Sequence, residues 1–104
     1  MKQTGSAVAI ITGAAQGIGR QAARVLSGRG YALVLNDLRE PAETLAGLGG
    51  SPAASVLGDV SLEETVEWVV AVALERFGRV DVLMNNAGVS LITPALFIST
   101  STRP

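Results

Sequence analysis

The segment TGAAQGIG, Thr12–Gly19, follows the apolar run AVAII at Ala7–Ile11 and precedes a helical pattern, and its three glycines decide how the chain folds. A strand that ends in a glycine-rich turn and leads directly into a helix opens a βαβ unit. Gly13, Gly17 and Gly19 are spaced G-x-x-x-G-x-G rather than G-x-G-x-x-G, but the physical demands are the same. Gly13 lets the chain turn sharply off the strand, Gly17 lets backbone approach an anion closely, and Gly19 lets the helix pack tightly on the sheet. The helix then aims free N–H groups and the positive end of its dipole at the anion, so a pyrophosphate is held without Lys or Arg. The same glycines also suit a plain tight strand-to-helix turn.

Outward from this turn, apolar runs of strand length recur at Ala32–Asn36 (ALVLN), Ala54–Gly58 (ASVLG) and Val80–Met84 (VDVLM). Continuous rather than alternating apolarity predicts strands buried on both faces. Between the runs, Ile18, Ala22, Val25 and Leu26 form a helical stripe that ends at SGRG, and Pro41 opens a shorter helix carrying Leu45 and Leu48 before GGSP breaks it. A third helix places Leu62, Val66, Val69, Val70, Ala73 and Phe77 on one face, with Ser61 and Glu64 as a capping box and Gly78 as its stop. This β-α-β-α-β-α-β order predicts an α/β fold: a Rossmann-like parallel sheet in the order 3-2-1-4 with flanking helices, the N-terminal half of a doubly wound domain. Residues 1–104 read as one partial dinucleotide-binding domain, of which residues 90–104 form a poorly defined tail.

Composition narrows the chemistry. With 104 residues, 48% of them hydrophobic, the chain supports one small domain with a real core. A net charge of −1 and no basic block argue against nucleic acid or an anionic membrane as partner. The absence of cysteine and histidine excludes disulfides, thiolate metal sites, a Cys nucleophile, a conventional zinc site and a His-based triad. No apolar segment approaches membrane-spanning length and the N-terminus carries no signal-like pattern, so the expectation is a cytoplasmic protein whose partner is a small molecule or another protein.

Asp37 closes the second apolar run 24 positions past Gly13, close to where an acidic side chain is expected to meet the adenosine ribose of a dinucleotide. A carboxylate there accepts from the 2′- and 3′-hydroxyls and repels a 2′-phosphate, which favours NAD over NADP. Arg39 is able to pair with a 2′-phosphate, or to stand as a solvated charge near a helix start. Asp37 also suits a turn or capping role.

Four motifs in one order, TGAAQGIG at Thr12–Gly19, ND at Asn36–Asp37, GDV at Gly58–Val60 and NNAG at Asn85–Gly88, resemble those of the classical short-chain dehydrogenases/reductases, over Ala7 to Val89. The resemblance implies a dinucleotide, NAD, along a turn bounded by Gly13 and Gly19, with Gln16, Gly17 and Ile18 on ribose and pyrophosphate. It puts Asp37 and Leu38 at the adenosine ribose, Asp59 and Val60 at the adenine, and Asn86, Ala87 and Gly88 near the inner ribose. Thr12 and Asn85 are supports that tie the first strand to the fourth. On charge alone, Asp59 also offsets the dipole of the helix that follows it.

Members of that family transfer hydride between nicotinamide and a carbonyl or alcohol, using a Tyr-x-x-x-Lys pair, a Ser and an Asn. Here the one tyrosine is Tyr31, four residues before Leu35, and the one lysine is Lys2. Tyr31 is therefore expected to pack ahead of the second strand. Ser99 and Ser101, in LFISTST at Leu96–Thr102, follow NNAG too closely to match the family's serine. NNAGVSLITPA fits the family and LFISTSTRP fits poorly, as expected of a chain truncated, frameshifted or internally deleted soon after Pro94. The expectation is the dinucleotide-binding portion of an NAD(P)-dependent oxidoreductase, catalytically incompetent alone. The alternatives are one piece of a complemented enzyme, a non-catalytic NAD-binding module, and a non-functional truncated product. Ending after the fourth strand would also leave Val80–Met84 as an unpaired sheet edge inviting self-association, and the Trp68–Val72 side of the third helix exposed.

Overall fold

In the computed structural model, which describes residues 6–86 and the backbone of residues 90–92, the strand that feeds the glycine turn lies at the centre of a sheet. This strand, β1 (Val8–Thr12), is buried at every position. The chain continues through α1 (Gly17–Gly28), β2 (Ala32–Asp37), α2 (Ala42–Ala46), β3 (Ala53–Leu57), α3 (Glu63–Phe77), β4 (Val82–Asn85) and β5 (Ser90–Ile92). The sheet order is β3-β2-β1-β4-β5, and the first four strands are parallel, as the alternation of strands and helices predicts.

The two faces of β1 feed two cores, because successive side chains on a strand point to opposite sides. Val8 and Ile10 join Val34, Val56 and Leu83 beneath Val69, Ala73 and Phe77 of α3. Ala9 and Ile11 join Leu33 and Leu35 beneath Ala23 of α1 and Leu48, which follows α2. Full burial of each large aliphatic side chain stabilises the fold by roughly 1.5–3 kcal/mol. Burial on both faces holds for β1 and β2; the outermost parallel strand, β3, buries Ala54 and Val56 and leaves Leu57 exposed. Tyr31 is half-buried against the second cluster, a packing residue.

Several local expectations are corrected. In α1 the buried residues are Gly19 and Ala23, flanked by half-buried Ala22 and Leu26, while Ile18 and Val25 are exposed; two small residues let the helix sit close to what it covers. The Ser61–Glu64 capping box is not formed. Leu62 is the N-cap of α3, Ser61 Oγ donates instead to Asp59 Oδ1 at 2.8 Å, and Thr65 takes the buried position while Leu62 is exposed. Gly78 ends α3 in the left-handed conformation, φ +83°, as expected of a glycine stop. Trp68 is exposed, whereas Val72 packs against the first cluster.

The unpaired edge expected at Val80–Met84 is also absent. Residues Leu83, Met84 and Asn85 of β4 pair antiparallel with Ile92, Leu91 and Ser90 of β5, so β4 lies between two strands. Among the described residues no helix is long and apolar enough to cross a membrane, and no cluster of acidic side chains could hold a metal ion.

Candidate functional site

Parallel registration brings the four motifs to one edge of the sheet. Thr12 stands opposite Asn36 on one side and Asn85 on the other, and Asp37 stands opposite Leu57, so the carboxyl ends of β1 to β4 are nearly level. Ligands of open α/β sheets bind at that edge.

Side chains and backbone from β2, α2, α1 and Asn86, the residue after β4, pin the loop that leaves β1. In the Gly13–Ala14 peptide, the carbonyl accepts from Asn86 Nδ2 at 3.1 Å and the N–H donates to Asn36 O at 3.0 Å. In the Ala14–Ala15 peptide, the carbonyl accepts from Thr44 Oγ1 at 2.7 Å and the N–H donates to Asp37 Oδ2 at 2.8 Å. In the next peptide the Ala15 carbonyl accepts from Arg20 Nη2 at 2.9 Å, and the Gln16 N–H meets no acceptor among the described residues. Two peptide planes are thus held at both ends, and the third is held at its carbonyl alone.

Beyond the loop, α1 begins without a side-chain cap and with no acidic residue in its first turn. The first amides of a helix have no intrahelical acceptor, so this end offers N–H donors and a positive dipole to an anion. Gly17 has φ +63° and open space where a side chain would stand, and Ile18 beside it is exposed. Gly19 has a different role from the one its position in the turn suggests: a Cβ there would collide with the Gly13 carbonyl oxygen. It lets the helix close over its own loop rather than onto the sheet.

The support between β1 and β4 is present. Thr12, 2% exposed, donates from Oγ1 to Asn85 Oδ1 at 3.0 Å and accepts the Asn86 N–H at 2.9 Å. Asn86, read from the sequence as a cofactor contact, has its side-chain amide on the Gly13 carbonyl. Asn36 ties β2 to the GDV turn through bonds from Nδ2 to Val56 O at 3.0 Å and Gly58 O at 3.2 Å. Asp59 is exposed and accepts from the Ser61 N–H at 2.9 Å; that bond and the Ser61 hydroxyl hold its carboxyl below the usual carboxylate range. Val60 is half-buried. Ala87 and Gly88 lie outside the described residues.

Asp37 borders a cavity of about 320 Å³ at the mouth of the loop, lined also by Ala15, Gln16, Arg20, Arg39 and residues 40–43; Leu38 is exposed and does not line it. Asp37 also accepts the Leu38 N–H on Oδ1 at 2.7 Å, so its carboxylate is fixed by two backbone donors. Arg20 pairs with Glu43 at 2.9 Å across this cavity. Thr44, Arg20 and Glu43 were not legible as site residues: none belongs to a motif, and only the placement of α2 against the loop reveals them.

The short chain dehydrogenase family matches residues 7–102, which extends past Val89 and takes in the LFISTST segment that reads as a poor fit. The chain is 43% identical over 102 residues to a short-chain dehydrogenase/reductase of Hericium erinaceus, covering 90% of this chain and 40% of that protein. It is 40% identical over 97 residues to a diacetyl reductase [(S)-acetoin forming] of Staphylococcus epidermidis, covering 89% of this chain and 38% of the relative. A crystal structure of a short-chain dehydrogenase/reductase, glucose/ribitol dehydrogenase, from Brucella melitensis superposes with a TM-score of 0.70 at 39% identity, over 80% of this chain and 37% of that one. The chain therefore spans between a third and two fifths of the length of these relatives.

Proposed function

The chain belongs to the short chain dehydrogenase family, and from that premise we propose that its glycine loop holds the pyrophosphate of NAD with Asp37 on the adenosine ribose. The observation that carries this reading is the uncapped, acid-free start of α1 beside a carboxylate fixed by two N–H donors. The residues present fit the group: a Cβ at Gly17 would enter open space that a phosphate can use, and the Gln16 N–H is left over from the pinned loop.

NAD is preferred over NADP in this proposal. Arg39 lines the same cavity and offers a guanidinium to a 2′-phosphate, but it is exposed. The Asp37 carboxylate is held in place and repels such a phosphate wherever Arg39 swings. Leu38, Asp59 and Val60 complete the adenosine end, and Asn86, Ala87 and Gly88 the nicotinamide end.

When bound, the dinucleotide supplies a hydride donor or acceptor for a carbonyl or alcohol, a chemistry supported by the diacetyl reductase among the relatives. The residues of this chain bind and orient it. Its 104 residues hold no Tyr-x-x-x-Lys, so the part we propose for them is to bind and orient the cofactor, with that pair supplied from outside these residues. Calorimetric titration of the purified chain with NADH and NADPH tests the reading. One saturable NADH site per chain with weaker NADPH binding is expected, and no heat of binding from a folded chain would overturn it.

A further inference from the structure

We propose that Thr44 is a positioning residue for dinucleotide binding: α2, which no sequence motif marks, aims the glycine loop from behind. The inference rests on the reading of that loop as the pyrophosphate site.

Thr44 is 1% exposed, and its hydroxyl reaches 30 positions back along the chain to the Ala14 carbonyl at 2.7 Å. The Ala14–Ala15 peptide is one rigid plane, so the bond at its carbonyl also sets the direction of its N–H, which Asp37 accepts. Without the hydroxyl the Ala14 carbonyl would be buried with no partner, and the plane would turn to find one. Any such rotation moves the peptide that follows, while the Asp37 carboxylate keeps its second anchor, the Leu38 N–H at 2.7 Å.

That next peptide is reached from α2 as well. Glu43, adjacent to Thr44, holds Arg20 Nη2 at 2.9 Å, and the same nitrogen donates to the Ala15 carbonyl at 2.9 Å. Arg20 Nε is buried without a partner, so the shared Nη2 is the nitrogen that seats this guanidinium. In a trans peptide the N–H points opposite to the carbonyl. Holding the Ala15 carbonyl on Arg20 therefore turns the Gln16 N–H away from Arg20 and leaves it available to an anion. Two neighbouring residues of α2 thus govern two successive loop carbonyls, one directly and one through Arg20.

The test titrates NADH, and separately adenosine, into the full chain and into T44V and T44S. Valine keeps the shape of threonine and removes the donor; serine restores it. NADH binding to T44V is expected to weaken about tenfold, with adenosine affinity unchanged because adenosine carries no phosphate, and T44S is expected to recover the loss. T44V binding NADH as tightly as the parent chain, or losing NADH and adenosine in equal proportion, would overturn the proposal while leaving the dinucleotide reading intact. A folded parent chain that binds no NADH would overturn both. If circular dichroism shows T44V unfolded, T44A decides instead, since it removes the same hydroxyl with a residue of higher helix propensity: selective loss of NADH supports the positioning role, and unchanged NADH affinity refutes it.

Discussion

The Asp37 carboxylate at the end of β2 accepts the Ala15 N–H of the glycine loop at 2.8 Å, so one side chain both shapes that loop and lines the cavity proposed as the adenosine end of the site. These two roles separate on substitution. Asp37→Asn keeps one oxygen acceptor for the Ala15 N–H, loses the acceptor for the exposed Leu38 N–H and removes the charge, so NADPH should gain on NADH with a smaller loss of melting temperature than Asp37→Ala causes. Asp37→Ala removes both, leaving the Ala15 N–H unpaired at a cost of about 1–3 kcal/mol, and should weaken both dinucleotides. Parallel titrations and thermal melts of the two variants check this; equal behaviour of Asn and Ala would refute the dual role.

Gly17 and Gly19 should respond to alanine in opposite ways. At Gly17, φ +63° costs an alanine roughly 1–2 kcal/mol, with space for the methyl, so the chain stays folded and the methyl blocks close approach of the pyrophosphate. NADH affinity should fall at least about tenfold, a loss near 1.4 kcal/mol. At Gly19 the methyl meets backbone, the Gly13 carbonyl, which has no rotamer to yield. Gly19→Ala should destabilise by about 3 kcal/mol and show its defect first in the melt.

Much of the fold was readable because the strongest signals are local. The unbroken apolar runs at β1 and β2 report burial on both faces, and Thr12 and Asn85 stand where the family resemblance implies a tie between strands, which their hydrogen bond confirms. Misreadings arose where tertiary contacts compete with local patterns. Ser61 and Glu64 match a capping box, yet Asp59 captures the serine hydroxyl and the helix starts later. β5 spans only three residues, SLI, too short for any periodicity. Thr44 and Arg20 act on the loop through bonds that no spacing rule anticipates, because the approach of α2 is set by Leu45 and Leu48 packing into the second cluster beside a buried Pro41.

Thr12, the one polar residue of β1, should be sensitive to loss of its hydroxyl. Its hydroxyl donates to Asn85 and accepts from the Asn86 N–H, both across the β1–β4 boundary. Thr12→Val preserves shape and strand propensity but takes the acceptor from the Asn86 N–H at a nearly buried position, so unfolding free energy should drop by about 1–3 kcal/mol. Thr12→Ser should recover most of that loss. Urea unfolding of the three chains measures it, and a valine variant as stable as the parent would remove the support role.

Acid should unfold the chain partly through Asp81. Arg79 bonds its carboxylate twice at 2.8 Å, and that partner, reinforced by the Val8 N–H at 2.8 Å, holds its pKa below the ordinary carboxylate value against an opposing effect of burial. A carboxyl whose folded pKa is depressed contributes stability above its unfolded value, near about 3.9, and that contribution is lost as pH falls through the lower folded value. Stability should therefore be flat with respect to this group from pH 7 to about 5 and decline below about pH 4. Asp59, also depressed by its bonds to Ser61, adds a decline in the same direction, so Asp81→Asn should shallow the acid slope rather than abolish it. Melting temperatures at a series of pH values, for the parent and Asp81→Asn, decide the point. The two curves should converge toward low pH, because protonation makes the parent side chain neutral like the variant's, and curves that stay parallel throughout would show that the Arg79–Asp81 pair does not carry the acid response.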